Sequence, residues 1–162
     1  MRFLKRVELE GFALERGERG LIRCEIVGGD LLATNAALHL SIRQPQSRRR
    51  IEWWQVKRAS FDPECATLEI SLENDQLDFV LTSPSLLPET VRERVTATIL
   101  TSITFAPGNH NDEARAVISL RRRPTKDGEV TFTDIDWQGS PSESARAQAE
   151  LRGQWLRQQA HG

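Results

Sequence analysis

Ala66-Thr67-Leu68-Glu69-Ile70-Ser71-Leu72 and Leu77-Asp78-Phe79-Val80-Leu81 lead, with little chain between, into Leu87-Pro88-Glu89-Thr90-Val91-Arg92-Glu93-Arg94-Val95. The first two segments carry apolar side chains at every second position, the pattern of half-buried strands, and Glu73-Asn74-Asp75-Gln76 joins them. The third segment changes period. Pro88 suits the first turn of a helix, Glu89 its positive end, and Val91, Val95 and Ile99 fall on one stripe at spacing four. Three β-branched residues in that stripe and the threonines from Thr90 to Thr101 lower helix propensity, so packing has to hold this helix in place. Two antiparallel strands followed by a capping helix predict a small curved sheet closed by a helix, an architecture used more for binding than for catalysis.

Upstream, the first 20 residues fit neither helix nor strand cleanly, and Glu15-Arg16-Gly17-Glu18-Arg19-Gly20 reads as a solvated connector. Ile22, Cys24 and Ile26 alternate with Arg23 and Glu25, which marks a half-buried strand with Cys24 inward; Gly28-Gly29-Asp30 turns it back. Leu31 to Thr34 and Ala37 to Ile42 form a second strand pair around Asn35-Ala36. Leu38, Leu40 and Ile42 face one way there, which leaves His39 on the opposite, wetter face. Arg43 to Arg50 reads as a loop with Pro45 and three consecutive arginines. Apolar parity changes at Trp53-Trp54, a sign of a bulge or sharp bend, and Phe61-Asp62-Pro63-Glu64 fits a tight turn.

Downstream, Pro107-Gly108-Asn109-His110-Asn111-Asp112 is a polar loop. Ala116, Ile118 and Leu120 alternate on a strand, and Asp127-Gly128 signals a hairpin. Val130 and Phe132 are even-numbered whereas Ile135 and Trp137 are odd-numbered, which predicts a bulge near Thr133-Asp134. Ser140 and Glu143 read as a capping box around Pro141, and Ala147, Leu151 and Trp155 repeat every four residues; this periodicity predicts that Leu151 and Trp155 lie on the sheet.

The 162 residues suit a single domain over 1–162, with 1–19 as an N-terminal extension of undetermined structure and 138–162 holding a C-terminal helix. Charged residues make up 28% and apolar ones 38%, as in ordinary globular chains. A net charge of −1 gives no global basic field to draw nucleic acid or anionic lipid. Cys24 and Cys65 share no metal spacing, no signal-peptide series opens the chain, and no apolar run approaches a bilayer span, so a reducing, cytoplasmic setting is expected.

Motifs for catalysis are missing. There is no G-x-S-x-G, no Cys near a His in a known signature, no G-x-G-x-x-G and no Walker-type loop. His110 and Asp112 would make at most a two-residue metal clamp and read as loop residues, because metal sites take three or four protein ligands. Asp134 and Asp136 read as a solvated edge. No cofactor is expected. The arginine clusters are the site candidates: Arg48, Arg49 and Arg50 beside Trp53 and Trp54, and Arg121 to Arg123 before Pro124. Guanidinium groups bind phosphates bidentately and an exposed Trp stacks a base, so Arg48, Arg49, Arg50, Trp54, Arg121 and Arg123 form the candidate anion- or partner-binding set. Strand alternation turns Arg122 away from Arg121 and Arg123, and edge protection is the competing reading. Of the two Trp rings, one is expected in the core and the other at a rim.

Ile51-Glu52-Trp53, Val56-Lys57-Arg58-Ala59-Ser60-Phe61-Asp62-Pro63-Glu64, Leu68 and Leu87 to Thr98 together resemble small actinobacterial proteins with a bacterial pleckstrin-homology (PH)-like domain. The likeness spans residues 18 to 157, its specific part being this central block, and Trp53-Trp54 is doubled where a single Trp is the pattern. The resemblance implies a split antiparallel β-barrel closed by a helix, an α+β and mainly β fold, and it implies no reaction. From the residues and the resemblance together, the expectation is a non-catalytic binding or assembly module for a protein partner or a second copy. Anion recognition, of lipid headgroups or nucleic acid by the arginines, is the alternative, and an enzyme is the least supported.

Overall fold

The computed structural model describes residues 9–108 and 113–161, so His110 and Asp112 lie outside the described residues. The chain forms two compact units, Met1–Thr96 and Ala97–Gly162.

In the first unit, β1 (Gly20–Ile26), β2 (Gly29–Thr34), β3 (Ala37–Ile42) and β4 (Ser47–Glu52) form an antiparallel meander, and β5 (Arg58–Asp62), β6 (Thr67–Ser71) and β7 (Gln76–Val80) form a second. Arg48 to Arg50, expected in a loop, are strand residues paired with Ser41, Leu40 and His39. Alternation hid this because no apolar residue marks the period until Ile51. Gly29 lets β2 lie close against β3, since an added Cβ there would run into the Ser41 carbonyl oxygen. A 3-10 turn at Trp53–Gln55 makes the bend anticipated at the Trp pair. Trp53 is buried and its indole donates to the Thr34 carbonyl at 2.9 Å, while Trp54 stays half-buried, so the rings divide as expected.

The two sheets touch at a corner, where Ile26 bridges Leu81 and the Val27 amide donates to the Val80 carbonyl at 2.9 Å. The strands stay in separate sheets of four and three, so the described residues form no closed barrel. Cys24, Leu31, Leu38, Leu40, Ile51, Leu68, Ile70 and Phe79 fill the space between them. Burial pushes the Cys24 thiol up from its ordinary value. Helix α1 (Leu87–Thr96) adds Leu87 and Val91 to this core. It stops short of Ile99, because the β-branched run that follows enters a strand.

The outer face of the first sheet carries the row Arg23, Leu32, His39 and Arg50 across β1 to β4. Parity places His39 as expected, yet it is 5% exposed. The N-terminal segment covers it: Phe12 meets the His39 ring edge-on at 6.2 Å, with the Arg23 guanidinium 5.1 Å from the Phe12 centroid. The Glu18 side chain, expected in solvent, is also covered there, 1% exposed and 2.6 Å from His39 Nε2. Burial acts to raise the Glu18 carboxyl. The Thr34 hydroxyl at 2.6 Å, His39 and the Glu15 amide at 2.9 Å outweigh it and hold the group below its ordinary range.

In the second unit, β8 (Ile99–Phe105), β9 (Arg115–Thr125) and β10 (Gly128–Gln138) form a sheet ordered β10-β9-β8, with α2 (Glu143–Ala160) packed on β9 and β10. The β9–β10 register runs unbroken from Arg115↔Gln138 to Thr125↔Gly128, so the expected bulge at Thr133-Asp134 is not there. The parity change has another cause. Ile135 and Trp137 pack with Ile118 and Leu120, whereas Phe132 lies on the other face, its centroid 5.9 Å from the Arg121 guanidinium. The N-cap of α2 is Ser142, whose hydroxyl accepts from the Ala145 amide at 3.1 Å, two residues beyond the expected Ser140. Its buried face is Ala145, Ala149, Gly153 and Leu156, and Leu151 and Trp155, expected on the sheet, are 64% and 49% exposed.

Candidate functional site

Arg58-Ala59-Ser60-Phe61-Asp62 alternates only weakly, yet it forms the outer strand of the second sheet. Ala59 stands opposite Ile70 and Phe61 opposite Leu68. Both therefore point toward the interior, but β5 is at the end of its sheet and Phe61 at the end of β5, which leaves the ring 37% exposed. Among the described residues no strand pairs with the outer side of β5.

The turn after β5 fixes this end. Asp62 accepts hydrogen bonds from the Cys65 thiol and, at 2.9 Å, from the Glu64 amide; these hold its carboxyl below the ordinary value. Ala66 closes the turn at φ 51°, a left-handed conformation that costs a non-glycine residue about 1 kcal/mol.

Two hollows flank this turn. The first, about 390 Å³, lies between β5 and the start of α1 and is lined by Ala59, Ser60, Phe61, Pro88, Glu89 and Arg92 among others. The second, about 380 Å³, is bounded by Ala66, Leu81 and the Thr82-Ser83-Pro84-Ser85 segment. Phe61 and Pro63 line both. Leu87 and Val91 seat α1 in the core and so set the first hollow's far wall. Ala59, Phe61 and Leu68 give it apolar lining, and Glu89 and Arg92 add one charge of each sign.

The arginine candidates are distributed differently. Arg48 and Arg50 face outward on β4, and Arg49 faces the other way and pairs with Asp75 at 3.0 Å. Arg50 meets Glu52 at 3.0 Å, Glu15 at 3.4 Å and Glu18 at 3.7 Å. The Trp54 indole donates to the other oxygen of Glu52 at 2.8 Å, so Glu52 holds Arg50 and Trp54 together. Arg121 belongs to the second unit and is 1% exposed. It lies 3.5 Å from Asp134 and donates to the Thr98 hydroxyl at 2.9 and 2.7 Å. Burial presses its guanidinium below the ordinary value, with the Asp134 carboxylate working in the opposite direction. Arg122 pairs with Glu129 at 3.8 Å, and Arg123 is an exposed residue of β9, which continues through Pro124 to Thr125.

The sequence reading missed Ser60, Phe61, Pro88, Glu89 and Arg92 as neighbours. Its available signal was the Ala59/Phe61 alternation beside the helix start at Pro88; which strand ends its sheet is set by pairing partners far along the chain. Among the described residues no group of three His, Cys, Asp or Glu side chains is placed to hold a metal ion, and no helix is long and apolar enough to cross a membrane. No protein-family model, no curated protein and no solved structure matches the chain.

Proposed function

We propose that the first unit is a PH-like protein-binding module that takes an extended segment of a partner protein along β5, in the groove between β5 and α1. The observation that carries this reading is the open side of β5 beside two hollows that share Phe61 and Pro63. An extended segment laid there would satisfy the strand's outward amides and carbonyls, and alternate side chains would reach the hollows; main-chain bonds supply affinity and the hollows selectivity. The PH-like part rests on the order of four strands, then three, then a helix, and on the corner where Ile26 meets Leu81.

Anion recognition by the arginine clusters is the weaker reading. Arg49, Arg50, Arg121 and Arg122 each have a carboxylate of the chain within 4 Å, which uses charge that a phosphate would need.

Selection of random peptides displayed on phage against the intact chain tests the proposal. Retained peptides should slow hydrogen exchange of the β5 amides from Arg58 to Asp62, and Phe61→Ala should weaken them tenfold or more while the protein still unfolds cooperatively. Peptides that bind equally well to Phe61→Ala, or that protect only β4, would sink the groove. Binding to anionic vesicles or oligonucleotides that falls steeply with salt would favour the arginines instead.

A further inference from the structure

Among the described residues, five of the six strands that end a sheet carry charge. β1 has Arg23 and Glu25, β4 has Arg48 to Arg50, β5 has Arg58 and Asp62, β7 has Asp78, and β10 has Glu129, Asp134 and Asp136. On an end strand, charges can oppose pairing with a second copy of the same strand, where like charges can be brought together. The sixth is β8, Ile99-Leu100-Thr101-Ser102-Ile103-Thr104-Phe105, the one strand among those described with no titratable side chain. The uncharged stretch continues on both sides, from Val95 to Gly108.

β8 also has the composition of a pairing strand. Its residues are β-branched or aromatic apart from Leu100 and Ser102, and it contains no Pro or Gly. One side pairs with β9, and no described strand pairs with the other. It is not covered: Ile99 and Leu100 are 36% and 49% exposed, and Thr101, Ser102 and Thr104 are exposed as well. The β8–β9 register shifts between Ile99 and Thr101, which leaves Thr101–Phe105 as the regular part.

We propose that β8 is a self-association edge, pairing antiparallel with β8 of a second copy about a twofold axis at Ile103 to continue the sheet across two chains. The occupant follows from charge. Twofold pairing of a strand with itself sets each residue against its mirror position, so a charge at or beside the axis meets its own like charge, and such pairs destabilise a sheet. β8 has none to repel. About Ile103 the register sets Thr101 against Phe105 and Ser102 against Thr104 of the second copy, a Thr–aromatic pair and a hydroxyl pair, both favourable across strands. The joined edge is short, which places the dimer in the weak, concentration-dependent class. This edge belongs to Ala97–Gly162 and the β5 groove to Met1–Thr96, so either proposal stands without the other.

Sedimentation equilibrium on the intact chain across a concentration series is the test, with two charged variants, S102K/T104K and S102E/T104E; both positions are exposed. The wild type should rise toward twice the 18.4 kDa chain mass with concentration. Each variant should stay at the monomer mass with its thermal midpoint unchanged, and an equimolar mixture of the two should regain the dimer. A wild type still monomeric at about 1 mM would overturn the proposal, and so would a lysine variant that dimerises as the wild type does. A mixture that remains monomeric would overturn the antiparallel pairing.

Discussion

The two helices close their sheets with residues that differ in average size. α1 inserts the large side chains Leu87 and Val91 into a core shared by two sheets, while α2 lies on a single three-stranded sheet through Ala145, Ala149, Gly153 and Leu156. Between two sheets there is space that only bulk can fill. Against one sheet, small residues let the helix backbone come close. At Gly153 an added Cβ would stand 2.6 Å from Thr133 Cγ2. With that face fixed, Leu151 and Trp155 fall on the opposite side of α2, in solvent. The size of an apolar side chain therefore does not say which face of a helix is buried; the depth of the gap does.

Leu87→Ala tests the deep side of the comparison and carries the largest expected effect. Leu87 is fully buried, so about 3 kcal/mol should be lost, read as a lower denaturation midpoint. A cost under about 1 kcal/mol would mean that α1 is not anchored as described.

Glu18→Gln sharpens the contrast from the outer face of the first sheet, and should cost roughly 1.5–3 kcal/mol at neutral pH by weakening charge-assisted hydrogen bonds to Thr34, His39 and the Glu15 amide. Its pH dependence has a definite sign. The folded carboxyl lies below the ordinary 4.5, so its contribution is whole above that pH and is lost as pH falls through the depressed folded value. The variant should flatten this acid limb; equal acid limbs in both proteins would assign it to other carboxylates.

Gly153→Ala tests the close approach. Alanine gains about 1 kcal/mol of helix propensity over glycine, but its Cβ meets Thr133 Cγ2, and overpacking costs about 1–3 kcal/mol. A net loss near 1 kcal/mol is expected, recovered by adding Thr133→Ser, which removes the opposing methyl and keeps the hydroxyl. A gain in midpoint for Gly153→Ala alone would break the account. Trp155→Ala carries the smallest effect, within about 0.5 kcal/mol, as for exposed positions. A loss comparable to that of Leu87→Ala would restore the docking face that periodicity predicts.

The three segments from Ala66 to Val95 were readable because each repeats its own period within a few residues, and β6, β7 and α1 lie where that reading puts them. Cys24 inward, the divided Trp pair and the Asp127-Gly128 hairpin were readable for the same local reason. β4 was not: Arg48 to Arg50 hold a strand only because β3 is alongside. His39 had the right parity and the wrong solvent, since residues 12–18 reach it from about 20 positions away. The β5 groove was half legible. Phe61, Pro63 and Pro88 stood in the sequence, and only pairing showed that β5 has one neighbour.

Sequence by itself determined the periods, the turns and the absence of charge from Val95 to Gly108, because these are properties of neighbouring residues. Tertiary structure decided which faces are covered, which strands end a sheet and which arginines meet a carboxylate, because burial and pairing join residues far apart in the chain and depend on the space left between packed elements.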